Sequence, residues 1–189
     1  MTKIVLTANA LLEDSFRLAG LVLKSGFEPT IIVAIWRGGT PVGMAVQELI
    51  ATCGIKTDHI AIRTSSYTGV DRRRREVAVF GLNYLVNSVC PDDRMLIVDD
   101  VFDTGNTIAA VVKELKDKAR GNAPKDIRVA VAWYKPARNE TDLTPDYWVR
   151  ETDDWIVFPH EIDALTAAEM KLERPEVHKL FAKYGEKAP

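Results

Sequence analysis

Met95-Leu96-Ile97-Val98-Asp99-Asp100-Val101-Phe102-Asp103-Thr104-Gly105-Asn106-Thr107 is the stretch on which the reading of this chain turns. Met95 to Val98 is wholly apolar, the pattern of a strand buried on both faces. After the polar interval, Ile108, Val111, Val112 and Leu115 recur at helical spacing and predict a helix to about Lys118. A helix start exposes unpaired backbone N–H groups and a partial positive charge. Thr104 to Thr107, with two hydroxyls and a glycine that permits close approach, can therefore cradle a phosphate monoester. Carboxylates beside a phosphate repel it unless they face something else, and ribose hydroxyls or Mg²⁺ are the natural partners for Asp99 and Asp100. The plainer alternative is that the aspartates cap the following helix, but one cap needs one Asp and not three. The chain contains no GxxxxGK[ST] pattern, which excludes a Walker-type phosphate loop.

Outward from this segment, strands and helices alternate. Thr30 to Trp36 is a second continuous apolar, β-branched run. Arg37-Gly38-Gly39-Thr40-Pro41 punctuates it before a helical pattern that extends to about Ala51. Leu11 to Ser25 carries one broad apolar stripe and ends at Gly26, predicting a helix. His59 to Arg63 reads as a short strand, and Ile127 to Trp133 as a third buried one. Thr64 to Glu76 is polar and basic with no period, which predicts a mobile loop. Ile162 to Pro189 reads as a helical tail interrupted by Pro175. Together these predict an α/β fold with a parallel β-sheet core flanked by helices, and a binding site beyond the carboxyl ends of the strands.

Composition narrows the partners. The 189 residues are 28% charged and 47% hydrophobic, which suits a globular chain able to bury its own core. The 25 Lys and Arg against 27 Asp and Glu leave a formal charge of −2, so neither nucleic acid nor an anionic membrane is attracted by net charge. Cys53 and Cys90 lack metal or disulfide-framework spacing. The start lacks the pattern of a secretory signal, and no apolar run approaches the roughly 20 residues that span a bilayer. A cytoplasmic protein is expected. The three histidines, His59, His160 and His178, are not paired at metal spacing.

Val98 to Thr107 resembles the ribose-5-phosphate signature of the type I phosphoribosyltransferases, which use 5-phosphoribosyl-1-pyrophosphate (PRPP). The resemblance implies that Asp99 and Asp100 hold the ribose hydroxyls and the Mg²⁺ cofactor. It gives the 5′-phosphate to Thr104, Gly105, Asn106 and Thr107, and makes Asp103 the catalytic acceptor of a proton near N7 of the base. Ala34 to Gly39 is similar to the pyrophosphate loop of bacterial xanthine-guanine enzymes, which points to Arg37 and Gly38. In relatives the bond into the first glycine can be cis, so Arg37-Gly38 is where one is expected. Ser65-Ser66-Tyr67 with the Arg72 to Arg75 run resembles the loop that closes over the reacting centre. Arg75 is favoured for pyrophosphate by the adjacent Glu76, and Arg73 by its distance from Tyr67; the other arginines read as a solvated face.

Trp133-Tyr134-Lys135-Pro136 with Asp153 to Pro159 resembles the nucleobase pocket of the 6-oxopurine enzymes. Lys135 donates and cannot accept, which favours a 6-oxo over a 6-amino group. Trp155 would stack on the base, and main-chain groups near Trp155 and Ile156 would read its edge. The chain departs from the pattern at Pro159-His160-Glu161, where close bacterial relatives place a second tryptophan. The resemblance thus implies one phosphoribosyltransferase domain over 1–189: a core of about 28–135, a hood of about 136–161 with the N-terminal segment over the base site, and a helical tail of about 162–189. It implies a homo-oligomer, a dimer or tetramer, acting in purine salvage on hypoxanthine, guanine or xanthine. The rival is a PRPP-binding regulator of the same fold that grips nucleic acid through the Arg72 to Arg75 run. The net charge and the lack of a basic helix face argue against it.

Overall fold

The computed structural model describes residues 3–68 and 75–185. In chain order the elements are β1 (Lys3–Val5), α1 (Ala8–Lys24), β2 (Ile31–Trp36), α2 (Gly39–Thr52), β3 (Asp58–Thr68), β4 (Arg75–Phe80), α3 (Asn83–Ser88), β5 (Arg94–Phe102), α4 (Asn106–Ala119), β6 (Asp126–Tyr134), β7 (Tyr147–Glu151), β8 (Trp155–Val157), α5 (Ala167–Glu173) and α6 (Pro175–Tyr184). They gather into two compact units, one of residues 12–153 and one of residues 1–11 with 154–189.

The larger unit is built on a six-stranded sheet ordered β4-β3-β2-β5-β6-β7. Every neighbouring pair is parallel except the antiparallel β3–β4. The β-branched runs sit at the centre for a physical reason: β2 and β5 are covered on both faces and cannot alternate with polar residues. On one face Ile31, Val33 and Ile35 share a core with Leu82 and Leu85 near and within α3 and with Ile108, Val111 and Leu115 of α4. Residues of β2 alternate, so Ala34 faces the other way. There α2 lies so close that a β-carbon on Gly43 would stand 2.7 Å from that of Ala34. Asp14 of α1 is wholly buried and paired with Arg17 at 2.8 Å and with Arg150 of β7, whose Nη2 lies 3.1 Å from Oδ1.

The smaller unit pairs β1 with β8 in parallel, Lys3 opposite Trp155 and Val5 opposite Val157. Val157, Leu165 and Met170 form its core, with Val5, Ala164 and Val177 against them. Thr166 and Glu169 close a reciprocal cap on α5, and Pro175 occupies the first turn of α6, where its missing N–H costs nothing.

Several sequence expectations need correction. The stretch from Thr64 to Glu76 is not a loop throughout: β3 continues to Thr68 and β4 begins at Arg75, forming an antiparallel pair with Tyr67 opposite Glu76. Residues 69–74, which hold Arg72 to Arg74, lie outside the described residues. Strand β5 does not stop at Val98 but carries Asp99 and Asp100 within it to Phe102. The tail is two helices that begin at Ala167 and not at Ile162, and α3 had no predicted counterpart. Among the described residues no helix is long and apolar enough to cross a membrane.

Candidate active site

Of the expected phosphate and metal residues, Arg37, Gly38, Asp99, Asp100 and Thr104 to Thr107 lie at the carboxyl ends of β2 and β5, within the larger unit. Parallel pairing brings the ends of β2 and β5 side by side, and the chain then turns from β2 through Arg37 and Gly38 into α2. Gly38 and Gly39 are pressed against the acidic pair. A β-carbon on Gly38 would stand 1.9 Å from Asp100 Oδ2, and one on Gly39 would stand 2.6 Å from the Val98 carbonyl oxygen. At Gly39 only hydrogen lets the loops meet, because the obstacle is backbone; at Gly38 the obstacle is the Asp100 carboxyl. Among the described residues the cis peptide bond is Trp36-Arg37, so the expected cis bond at Arg37-Gly38 is displaced by one residue.

Asp99 and Asp100 are both buried, 9% and 8% exposed, although they carry the charge of the site. The Asp100 N–H donates to Asp99 Oδ1 at 3.0 Å. Burial first, and then the Asp100 carboxylate, push the Asp99 carboxyl well above the ordinary carboxylate range, against the Asp100 and Gly39 N–H groups that favour its charge. Two carboxylates out of solvent on adjacent residues form a place where a cation relieves repulsion.

Beyond β5 the chain passes Asp103 and Thr104 to Gly105, which starts α4 in the left-handed region at φ 79°. A β-carbon there would stand 2.4 Å from Thr141 Oγ1 and 2.8 Å from the Phe102 ring. Gly105 has no side chain to cap α4; the Asn106 N–H donates to Thr104 Oγ1 at 3.4 Å, and the amides of Thr107 and Ile108 are left at the helix start as anion donors. A second loop supports the turn: the Glu140 N–H donates to the Thr104 carbonyl at 3.0 Å, and Asn106 Nδ2 donates to Glu140 Oε2 at 2.8 Å. Sequence reasoning missed the 139–143 segment, because it lies more than thirty residues away and carries no motif.

Strand register places the next two groups. Phe102 lies opposite Tyr134, so Asp103 and Lys135, one residue on, emerge side by side. The Lys135 N–H donates to the Phe102 carbonyl at 2.9 Å, its side chain is buried, and Nζ lies 4.0 Å from Asp103 Oδ2. Arg138, also missed from sequence, brings Nε to 2.7 Å from Asp103 Oδ1.

The remaining expected residues lie on other elements. Arg75 opens β4 opposite Thr68 at the far end of the hairpin. Trp155 and Ile156 belong to the smaller unit, where β8 leaves Trp155 44% exposed and buries Ile156. In the departing turn Phe158 stacks on His160, and Glu161 Oε2 accepts the Phe158 N–H at 3.1 Å. The Arg174 guanidinium donates to the carbonyls of Phe158, Pro159 and Glu161. The Glu161 carboxylate is thus engaged in holding its own turn.

An acidic strand end, a glycine-opened helix and two apposed loops define an α/β protein whose site is built at the carboxyl edge of a parallel sheet. The chain belongs to the phosphoribosyl transferase domain family, whose model matches residues 1–165. It is 35% identical over 123 residues to a hypoxanthine/guanine phosphoribosyltransferase of Methanocella arvoryzae, a match that spans 60% of this chain and only 57% of that protein. Among solved structures, the purine phosphoribosyltransferase of Pyrococcus horikoshii is 27% identical, with a TM-score of 0.68 over 88% of this chain and 98% of that one. A hypothetical protein of Neisseria gonorrhoeae with bound ppGpp has a TM-score of 0.72 at 21% identity, covering 97% of each chain, and shares the fold.

Proposed function

We propose that this protein is a purine phosphoribosyltransferase that joins the phosphoribosyl group of PRPP to N9 of hypoxanthine, guanine or xanthine, releasing pyrophosphate with inversion at C1′. The observation that carries the reading is the buried Asp99–Asp100 pair running within ten residues into the glycine-opened start of α4. A phosphate and a pair of sugar hydroxyls need donors and acceptors at such a separation along one chain. The archaeal relative supports the 6-oxopurine assignment.

In this reading the amides of Asn106 and Thr107, with the Thr104 and Thr107 hydroxyls and the close approach at Gly105, hold the 5′-phosphate. Asp99 and Asp100 hold the ribose hydroxyls. The Gly38 turn, Arg37 and Arg75 meet pyrophosphate. Mg²⁺ fits the same pair: the donors are hard carboxylate oxygens whose mutual repulsion a dication relieves. The ion is proposed to be shared with the substrate phosphates. When bound, Mg²⁺ supplies charge neutralisation on the departing pyrophosphate. As that group leaves, positive charge develops at C1′ and the ring oxygen, and the fixed carboxylates favour it. Asp103 accepts the proton at N7 while N9 attacks. Lys135 donates to the 6-oxo group, and Trp155 and Ile156, in a hood with the N-terminal segment, cover the base.

The test is an ultraviolet assay of each purine with PRPP and Mg²⁺, run beside nucleic-acid binding across a salt series. Turnover of 6-oxopurines and not adenine is expected. Absence of turnover with salt-sensitive nucleic-acid binding favours the regulatory reading. The subunits are proposed to associate as a dimer or tetramer.

A further inference from the structure

We propose that Arg138 is a positioning residue that selects which oxygen of Asp103 takes the proton; this rests on the phosphoribosyltransferase reading above. A single 3-10 turn over Pro136–Arg138, capped by Lys135, places Arg138 three residues after Lys135. In that geometry residues three apart lie on one side of the turn, so both cations face Asp103. The turn is fixed at its other edge by the Ala137 N–H, which donates to Asp153 Oδ1 at 3.2 Å.

The two carboxylate oxygens are not equivalent. Oδ1 lies 2.7 Å from Arg138 Nε, out of solvent contact and with no aligned hydrogen-bond donor among the described residues. Charge holds it there, not a directed hydrogen bond. The Asp103 side chain nevertheless keeps 33% of its exposure, so Oδ2 is the accessible oxygen, with Lys135 Nζ 4.0 Å away. Arg138 thus occupies Oδ1 and turns Oδ2 toward the place where Lys135 would meet the base. Arg138 is itself 39% exposed, which screens its charge and makes its contribution one of orientation.

The experiment measures kcat and KM for PRPP and for hypoxanthine in the wild type, Arg138→Ala, Arg138→Gln, Arg138→Lys, Asp103→Asn and the Arg138→Ala/Asp103→Asn double variant, with thermal unfolding of each. Arg138→Gln keeps most of the side-chain length, should truncation to Ala unfold the protein. Both neutral variants are expected to lower kcat roughly 10- to 100-fold, with KM for PRPP near the wild-type value. Arg138→Lys is expected to recover most of the rate, because a cation placed at Oδ1 is enough to orient the carboxylate. In the double variant the loss should not exceed that of Asp103→Asn alone, since Arg138 acts through that carboxylate. Additive losses, a failure of lysine to rescue, or a raised KM for PRPP at unchanged kcat each overturn the inference while leaving the enzyme reading intact. A folded wild type that turns over no purine overturns both.

Discussion

Gly38 stands so close to Asp100 that a β-carbon on it would fall 1.9 Å from Oδ2, so the turn after β2 closes directly against the acid near the end of β5. The neighbouring contact differs in kind: a β-carbon on Gly39 meets the Val98 carbonyl and the Asp99 Cα at 2.6 and 2.8 Å, and backbone cannot step aside.

Gly38→Ala and Gly39→Ala should therefore separate function from stability. The first displaces only a carboxylate end and should weaken Mg²⁺-PRPP binding by roughly 10- to 100-fold, with melting little changed. The second should cost about 1–3 kcal/mol of stability. Denaturant unfolding and KM for PRPP check the pair, and equal stability losses would refute the distinction.

Gly105→Ala meets two obstacles, the left-handed φ of 79° and Thr141 Oγ1 at 2.4 Å. A loss of about 2–4 kcal/mol is expected from strain and overpacking together. Thr141→Ser keeps the hydroxyl and does not relieve it, whereas Thr141→Gly in the Gly105→Ala background should restore part. Melting curves of the three variants decide this.

Arg150→Ala leaves the buried Asp14 paired with Arg17 at 2.8 Å. The expected cost is about 2–3 kcal/mol, below the ~3–5 of a wholly uncompensated buried pair because Arg17 remains. Asp14→Asn in the Arg150→Ala background should be milder than Arg150→Ala alone. If it is worse, the buried charge is not the source of the loss.

The Lys3 ammonium, and then Thr166, hold the Glu169 carboxyl at about 2, below its ordinary 4.5. A carboxyl lowered by folding adds stability that is fully present above the unfolded value and fades as pH falls from about 4.5 through about 2. Lys3→Met should raise the Glu169 midpoint toward the ordinary value in a carboxyl-carbon NMR titration. An unmoved midpoint would remove Lys3 as its cause.

With Asp99 and Asp100 as its proposed protein ligands and the others supplied by PRPP, Mg²⁺ alone should leave the melting temperature nearly unchanged. Mg²⁺ with PRPP should raise it, by the equivalent of about 2.7 kcal/mol when PRPP is at one hundred times its Kd. Differential scanning fluorimetry distinguishes the two, and a large shift with the ion alone would contradict the shared-ligand arrangement.

Legibility followed the strength of the local signal. The runs in β2, β5 and β6 announced themselves because a strand covered on both faces must be continuously apolar. Asp99 and Asp100 broke that signal, and so the strand seemed to end before them, although ladder pairing to β6 carries it on to Phe102. The β3–β4 hairpin was hidden for the opposite reason: an edge pair held by main-chain bonds needs no apolar alternation in Thr64 to Thr68. Asp103 and Lys135 were each legible by motif, but their proximity is a matter of strand register.

By itself the sequence determined the parallel α/β core and the strand-to-helix segment with its acids, hydroxyls and glycine, because burial period and helix-start chemistry are local properties of the chain. Tertiary structure alone decided that Gly38 abuts Asp100, that Thr141 closes over Gly105 and that Arg138 meets Asp103. Such contacts join residues about thirty or more positions apart, and only the order and register of strands bring them within bonding distance.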